Sequence, residues 1–223
     1  MTASPNLLEV LETATGPNPS ASVIWLHGLG ADGSDFMPIV TELSLPKRAI
    51  RFVFPNAPQM PVTINGGMVM PAWYDISDTA IRREDEHGVR ASQAAIEALI
   101  AREVSRGSPT GNIVLAGFSQ GGAIALQAAL RHPERLAGVM ALSTYVPLAD
   151  TLATEASPAN RDVPIFMAHG MQDPVITLAR AEQSRALLQG LGYRVEWRSY
   201  PMAHAVCPQE IVDIGRWLTK VLG

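Results

Sequence analysis

Short apolar runs and longer amphipathic stretches alternate along this chain of 223 residues. Leu8–Thr13, Ser22–His27 and Ile50–Phe54 read as strands, the last closed by the turn sequence Pro55-Asn56-Ala57-Pro58. Asp35–Leu45 reads as a helix. From Glu84 to Gly107 the apolar positions Val89, Ile96, Leu99, Ile100 and Val104 fall mainly at helical spacing, with Gly107 as a C-terminal stop. Further on, Leu136–Leu142 and Val163–Ala168 are apolar strands, Thr177–Leu191 is a helix, and Tyr193–Tyr200 alternates as a strand. Pro208–Leu222 closes the chain as a helix whose inner face would be Ile211, Ile214, Leu218 and Val221 or Leu222. Such alternation predicts the α/β class, with a mostly parallel central sheet and helices on both faces. No internal repeat or low-complexity linker divides residues 1–223, so one domain is expected. In such folds the reactive groups sit on loops at the carboxyl ends of the strands.

The longest uncharged run, residues 107–130, holds 24 residues. A membrane helix needs about 20 apolar residues, so length alone allows a span. Pro109, Gly111 and Asn112 break its first part, however, and Gly117, Ser119, Gln120, Gly121 and Gly122 interrupt its middle. It divides instead into a buried strand, Asn112–Phe118, and a short Ala-rich helix, Gln120–Arg131. The join, Gly117-Phe118-Ser119-Gln120-Gly121, matches the G-x-S-x-G turn that pushes a serine hydroxyl out of a strained backbone. Glycines flank the serine because larger side chains would collide with the neighbouring strand or helix. Ser119 is the candidate nucleophile.

A nucleophilic serine needs a base and an orienting acid, and folds with this turn order them serine, acid, histidine. Of His27, His87, His132, His169 and His204, only His169 and His204 follow Ser119 with room for an acid between. His204 stands in the last strand-to-helix loop; His169 fits a supporting or packing role better. Glu134, Asp150, Glu155, Asp162, Glu182 and Glu196 also lie between serine and histidine. Asp173 alone follows a strand, which makes it the candidate acid, with Asp150 next. Donors for an oxyanion are expected from the backbone N–H of Gln120 and, in the His27-Gly28-Leu29-Gly30 loop, from that of Leu29.

Composition narrows the function classes. A net charge of −4, with the 17 Lys and Arg scattered, gives no basic field for nucleic acid or an anionic membrane surface. The N-terminal stretch MTASPNLLEVLETATGPNP has no signal-peptide pattern, no transmembrane segment is expected, and the single cysteine suits a reducing, cytoplasmic setting. Cys207, near His204, begins a helix with no acid-base partner behind it and reads as an incidental thiol. At about residues 60–75, Asn65-Gly66-Gly67 separates two short apolar runs and predicts a hairpin. Met60, Met68, Met70 and Trp73 gather there, and with Leu29 and Phe36 this segment is expected to wall an acyl pocket, in particular Leu29, Phe36, Met70 and Trp73. The same apolar surface is compatible with a homodimer. Few charged residues fall near these positions, so a strongly charged, choline-like or phosphate-rich substrate is not expected.

The stretches WLHGLGADGSDF, PNAP, PAWYDI, AGFSQGG, HGMQD and YPMAH occur in the same order as in bacterial carboxylesterases related to acyl-protein thioesterases, and the chain resembles that family over nearly its whole length. The resemblance implies the α/β-hydrolase fold, no cofactor or metal, and hydrolysis of small-molecule esters or thioesters of small and medium acyl groups. It implies a triad of Ser119, Asp173 and His204, with oxyanion donors at Leu29 and Gln120. The alternative within the family is acyl-protein thioesterase or lysophospholipase activity; competing readings outside it are a binding protein on a hydrolase fold, in which an intact triad has no use, and an amidase, lipase or peptidase of the same fold. The short chain leaves little room for the lid or propeller domain that some of those enzymes carry.

Overall fold

A computed structural model describes residues 7–77 and 85–223. Glu84, the expected start of the first long helix, and the first six residues of the N-terminal stretch lie outside the described residues. The strands are β1 (Val10–Ala14), β2 (Ala21–Leu26), β3 (Ile50–Pro55), β4 (Gln59–Val62), β5 (Met68–Pro71), β6 (Ile113–Phe118), β7 (Gly138–Leu142), β8 (Ile165–Gly170) and β9 (Val195–Tyr200). The helices are α1 (Glu86–Ser105), α2 (Gln120–Arg131), α3 (Ala149–Glu155), α4 (Leu178–Gly190) and α5 (Pro208–Leu222).

Seven strands form one sheet in the order β1-β3-β2-β6-β7-β8-β9, parallel throughout except for β1, which runs antiparallel to β3. Every residue of β2, β7 and β8 is buried, as a sheet covered on both faces requires of its strands. Alternation along β2 divides the core. Ile24 and Leu26 face a cluster with residues of α1, α2 and α4, while Val23 and Trp25 face one built on Phe52, Phe54 and the α5 residues Ile214, Trp217 and Leu218. Of the inner face expected for α5, Ile214, Leu218 and Leu222 are buried, Ile211 and Val221 only partly so, and Trp217, not expected there, is buried as well.

Two elements depart from the sequence pattern. The helix expected over Asp35–Leu45 is a single 3-10 turn, Met37–Thr41. Pro38 stands at its start, the β-branched Ile39, Val40 and Thr41 gain little from a helix, and Pro46 disfavours helical backbone at Leu45. The seven-residue α3 falls in a stretch read as loop; Leu152 is its one buried residue, too little periodicity to reveal it.

Residues 59–71 form the expected hairpin, with Met60 opposite Met70 and Val62 opposite Met68. Gly66 and Gly67 take left-handed backbone at its turn, with φ of 68° and 79°. The ribbon is tied to the loop after β2 by the Gly30 N–H, which donates to the Pro71 carbonyl at 2.9 Å. Among the described residues no helix is long and apolar enough to cross a membrane.

Candidate active site

Ser119 sits between β6 and α2 with φ 53° and ψ −122°, a conformation rarely adopted by a residue with a side chain. The surroundings hold it there. Its N–H donates to the Leu142 carbonyl at 2.8 Å, and its carbonyl accepts from the Thr144 hydroxyl at 2.6 Å and the Ala123 N–H at 3.1 Å. A side chain at Gly121 would strike the carbonyls of Leu26 and His27, and one at Gly117 the carbonyl of Gly121. Both glycines are therefore steric requirements of the turn.

The neighbouring parallel strands β8 and β9 lead into the loops that carry Asp173 and His204. Backbone N–H groups of Met171 and Gln172 donate to the carbonyls of Tyr200 and Met202 at 2.8 and 3.0 Å, stitching the two loops together. Asp173 is fully buried at its side chain. Its Oδ1 accepts from the Val175 and Ile176 N–H groups at 2.8 and 2.9 Å, and its Oδ2 faces His204 Nδ1 at 2.6 Å. Nδ1 of His204 donates to that carboxylate, so Nε2, 2.9 Å from Ser119 Oγ, is left to accept from the hydroxyl. The Phe118 ring packs on the imidazole with centroids 4.7 Å apart.

His169 lies on the other side of the acid. Its Nε2 donates to the Ile176 carbonyl at 2.8 Å and approaches Asp173 Oδ2 at 3.5 Å, and its ring stacks on Trp197. Burial pushes its pKa below the ordinary histidine value, so it packs there as a neutral ring. Asp150, the other candidate acid, is exposed in the first turn of α3 and is not part of this relay.

The loop after β2 is fixed from below by His27. Its Nδ1 donates to the Gly28 carbonyl at 2.7 Å and its Nε2 accepts the Ala57 N–H at 3.0 Å, which ties the loop to the Pro55–Pro58 turn. Burial lowers its pKa too, consistent with this one-proton arrangement. Trp73 braces the loop through Nε1, which donates to the His27 carbonyl at 2.9 Å. The Gln120 side chain completes the frame, accepting from Trp73 N–H at 2.8 Å and donating to the Tyr74 carbonyl at 2.7 Å. Among the described residues, the backbone amides of Leu29 and Gln120 have no acceptor, and both residues line the same cavity as Ser119.

That cavity holds about 250 Å³. Leu29, Ser119 and Gln120 meet the side chains of Tyr74, Ile76, Tyr145 and Ile176 there, with Asn65, the exposed Ile64 and Val175, and Arg180 completing the wall. Leu29 lies where the sequence places it; Phe36, Met70 and Trp73 do not. Phe36 is core, with ring centroids 5.3 Å from Trp25 and 5.7 Å from Phe118. Trp73 is buried as a strut, and the Met70 sulfur accepts from Asn65 Nδ2 at 3.3 Å beside Gly30 instead of facing the cavity. The hairpin thus contributes its turn residues, Ile64 and Asn65, rather than its methionines. Arg180 is the one charged side chain of that wall among the described residues, in line with the few expected there. Val175 and Ile176 could have been inferred from their adjacency to Asp173, and Tyr145 from its place just beyond the carboxyl end of β7; no local signal marks Arg180, which lies in an ordinary helical turn. Among the described residues no three His, Cys, Asp or Glu side chains converge as metal ligands.

Residues 9–222 match the phospholipase/carboxylesterase family. Acyl-protein thioesterase 1 of Neurospora crassa is 42% identical over 215 residues, covering 91% of this chain and 87% of that protein. Acyl-protein thioesterase 1 of Gibberella zeae is 39% identical over 214 residues, covering 91% of each. Zea mays acyl-protein thioesterase 2 superposes with a TM-score of 0.83 at 30% identity, over 96% of this chain and 99% of that one. These relatives are fungal and plant proteins, so they carry the expected family without its narrower bacterial branch. With that match and an α/β-hydrolase sheet beneath Ser119, the chain belongs to the phospholipase/carboxylesterase family, hydrolases of the esterase type.

Proposed function

We propose that the chain is a serine carboxylesterase that cleaves esters of short to medium acyl chains through an acyl-enzyme on Ser119. The observation that carries this reading is the unbroken relay from Ser119 Oγ through His204 to the buried Asp173. His204 Nε2 takes the hydroxyl proton as Oγ attacks the ester carbonyl, and Asp173 stabilises the imidazolium that forms. The Leu29 and Gln120 amides serve as donors to the tetrahedral oxyanion, at no cost of breaking bonds made in the resting enzyme. Protonated His204 then gives its proton to the leaving alcohol. Water, deprotonated by the same nitrogen, releases the acid and restores Ser119. A cavity of about 250 Å³ suits a compact acyl group, and a longer one would emerge past Ile64 and Val175. The single cysteine fits a reaction carried out in a reducing, cytoplasmic setting.

Thioesters are the second reading, favoured by the name acyl-protein thioesterase 1 carried by relatives about 40% identical to this chain. Both readings use the same relay. The test is hydrolysis of p-nitrophenyl esters from acetate to palmitate beside the matching S-acyl thioesters, by the parent and by Ser119→Ala. Turnover that peaks at short to medium chains and falls by about 10⁴-fold or more in the variant is expected. Equal rates in parent and variant would overturn the reading, and a preference for long-chain thioesters would replace it with the second.

A further inference from the structure

Arg180 is stacked on Tyr145 but leaves its hydrogen-bonding capacity unused. Among the described residues its guanidinium makes no hydrogen bond and no ion pair, although it carries five N–H donors. It stands in the first turn of α4, where the helix carries partial positive charge and a cation is disfavoured. It stacks on the Tyr145 ring, whose centroid lies 3.3 Å below the guanidinium carbon. That stacking occupies a face of the planar group and leaves its edge donors free of it, and Arg180 and Tyr145 both line the cavity with Ser119. The rest of that wall is largely apolar, so the guanidinium is its single charged group among the described residues.

We propose that Arg180 selects ester substrates whose acyl chain ends in a carboxylate, that is, half-esters of dicarboxylic acids. This rests on Ser119 acting as the esterase nucleophile. A planar guanidinium held by stacking presents paired N–H groups that match a carboxylate, and the apolar walls between it and Ser119 suit the methylenes that separate the two ends of such a chain. The reaction is ordinary ester hydrolysis: water is consumed, the alcohol leaves, and the product is the dicarboxylate with one proton released. A phosphate-bearing acyl chain would present the same charge, but the modest cavity and the planar donor edge favour the smaller, planar anion.

The test compares monoethyl adipate with ethyl hexanoate, which replaces the distal carboxylate by a methyl group, in a pH-stat at neutral pH. Parent, Arg180→Gln and Arg180→Lys are measured on both esters. The parent should prefer the half-ester, and the ratio of kcat/KM for the two esters should fall by about tenfold in Arg180→Gln, with partial recovery in Arg180→Lys. Continued turnover of ethyl hexanoate by both variants shows that they fold and keep the relay, and the ratio for the two esters cancels any change common to both. A ratio unchanged by Arg180→Gln, or a parent that prefers the neutral ester, overturns this inference while leaving the esterase reading intact. Absence of turnover of both esters by the parent would instead strike the esterase reading, and this inference with it.

Discussion

Truncating Gln120 should cost stability and substrate binding while leaving its own backbone amide in place. The side chain is buried and makes two hydrogen bonds, at 2.8 Å from Trp73 N–H and 2.7 Å to the Tyr74 carbonyl. Gln120→Ala withdraws the partner of the Trp73 N–H at a buried position and one partner of the Tyr74 carbonyl. Leaving a buried polar group unsatisfied costs about 1–3 kcal/mol, so the pair should cost about 2–5 kcal/mol. For a chain of this size each kcal/mol lowers Tm by about 2–4 °C, which puts the expected drop at about 4–20 °C. Tyr74 lines the cavity, so KM should rise more than kcat falls. Gln120→Glu supplies the control. Protonated, it can accept from Trp73 and donate to Tyr74 as glutamine does; ionised, it sets a carboxylate against the Tyr74 carbonyl. Its stability relative to the parent should therefore improve as pH is lowered. Thermal unfolding and ester kinetics on the parent and both variants read all of this. A Gln120→Ala protein within about 0.5 kcal/mol of the parent would refute the account of this clamp.

Three further outcomes follow from individual groups. Burial pushes the Glu210 carboxyl from 4.5 up to about 8, so across that window the folded protein holds a proton the unfolded chain has released. Its contribution is complete below the unfolded value and is lost as pH rises towards about 8, by at most about 5 kcal/mol; urea unfolding of Glu210→Gln should show that slope removed and greater stability than the parent at pH 9. Ser119→Gly should be more stable than Ser119→Ala by about 1 kcal/mol, because φ 53° burdens any residue with a side chain; equal melting temperatures would contradict the strain. Asp173→Asn should keep the bonds from Val175 and Ile176 but turn an amide donor towards His204 Nδ1. It should lower kcat by about 10³–10⁴-fold with an unchanged circular dichroism spectrum.

The relay was legible in the sequence because each member occupies a position that topology restricts. Ser119 is framed by glycines that the turn demands, and Asp173 and His204 each follow a strand of a parallel sheet, where side chains converge at one edge. The Asp35–Leu45 segment misled because its apolar spacing is helical while Pro38 and Pro46 leave room for only one turn. The cavity was harder still. Its wall draws on the loop after β2, the hairpin turn, the segment after β5, the turn between β6 and α2, the loop after β7, the loop after β8 and the start of α4, seven stretches that meet only once the chain is folded. An aromatic such as Phe36 suits a core or a pocket equally, and nothing in its neighbours along the chain decides between them. Trp73, expected in the pocket wall, lies outside it and braces the His27 carbonyl instead.

The central claim is that Ser119 is a nucleophile activated by His204. Intact-protein mass spectrometry after treatment with a fluorophosphonate tests it most directly, since such reagents phosphonylate an activated serine hydroxyl and the mass gain counts the adducts. One adduct is expected on the parent, mapped to the peptide containing Ser119, with none on Ser119→Ala and slow labelling of His204→Ala. Labelling of Ser119→Ala at the parent rate, or an adduct mapped to another residue, would contradict it.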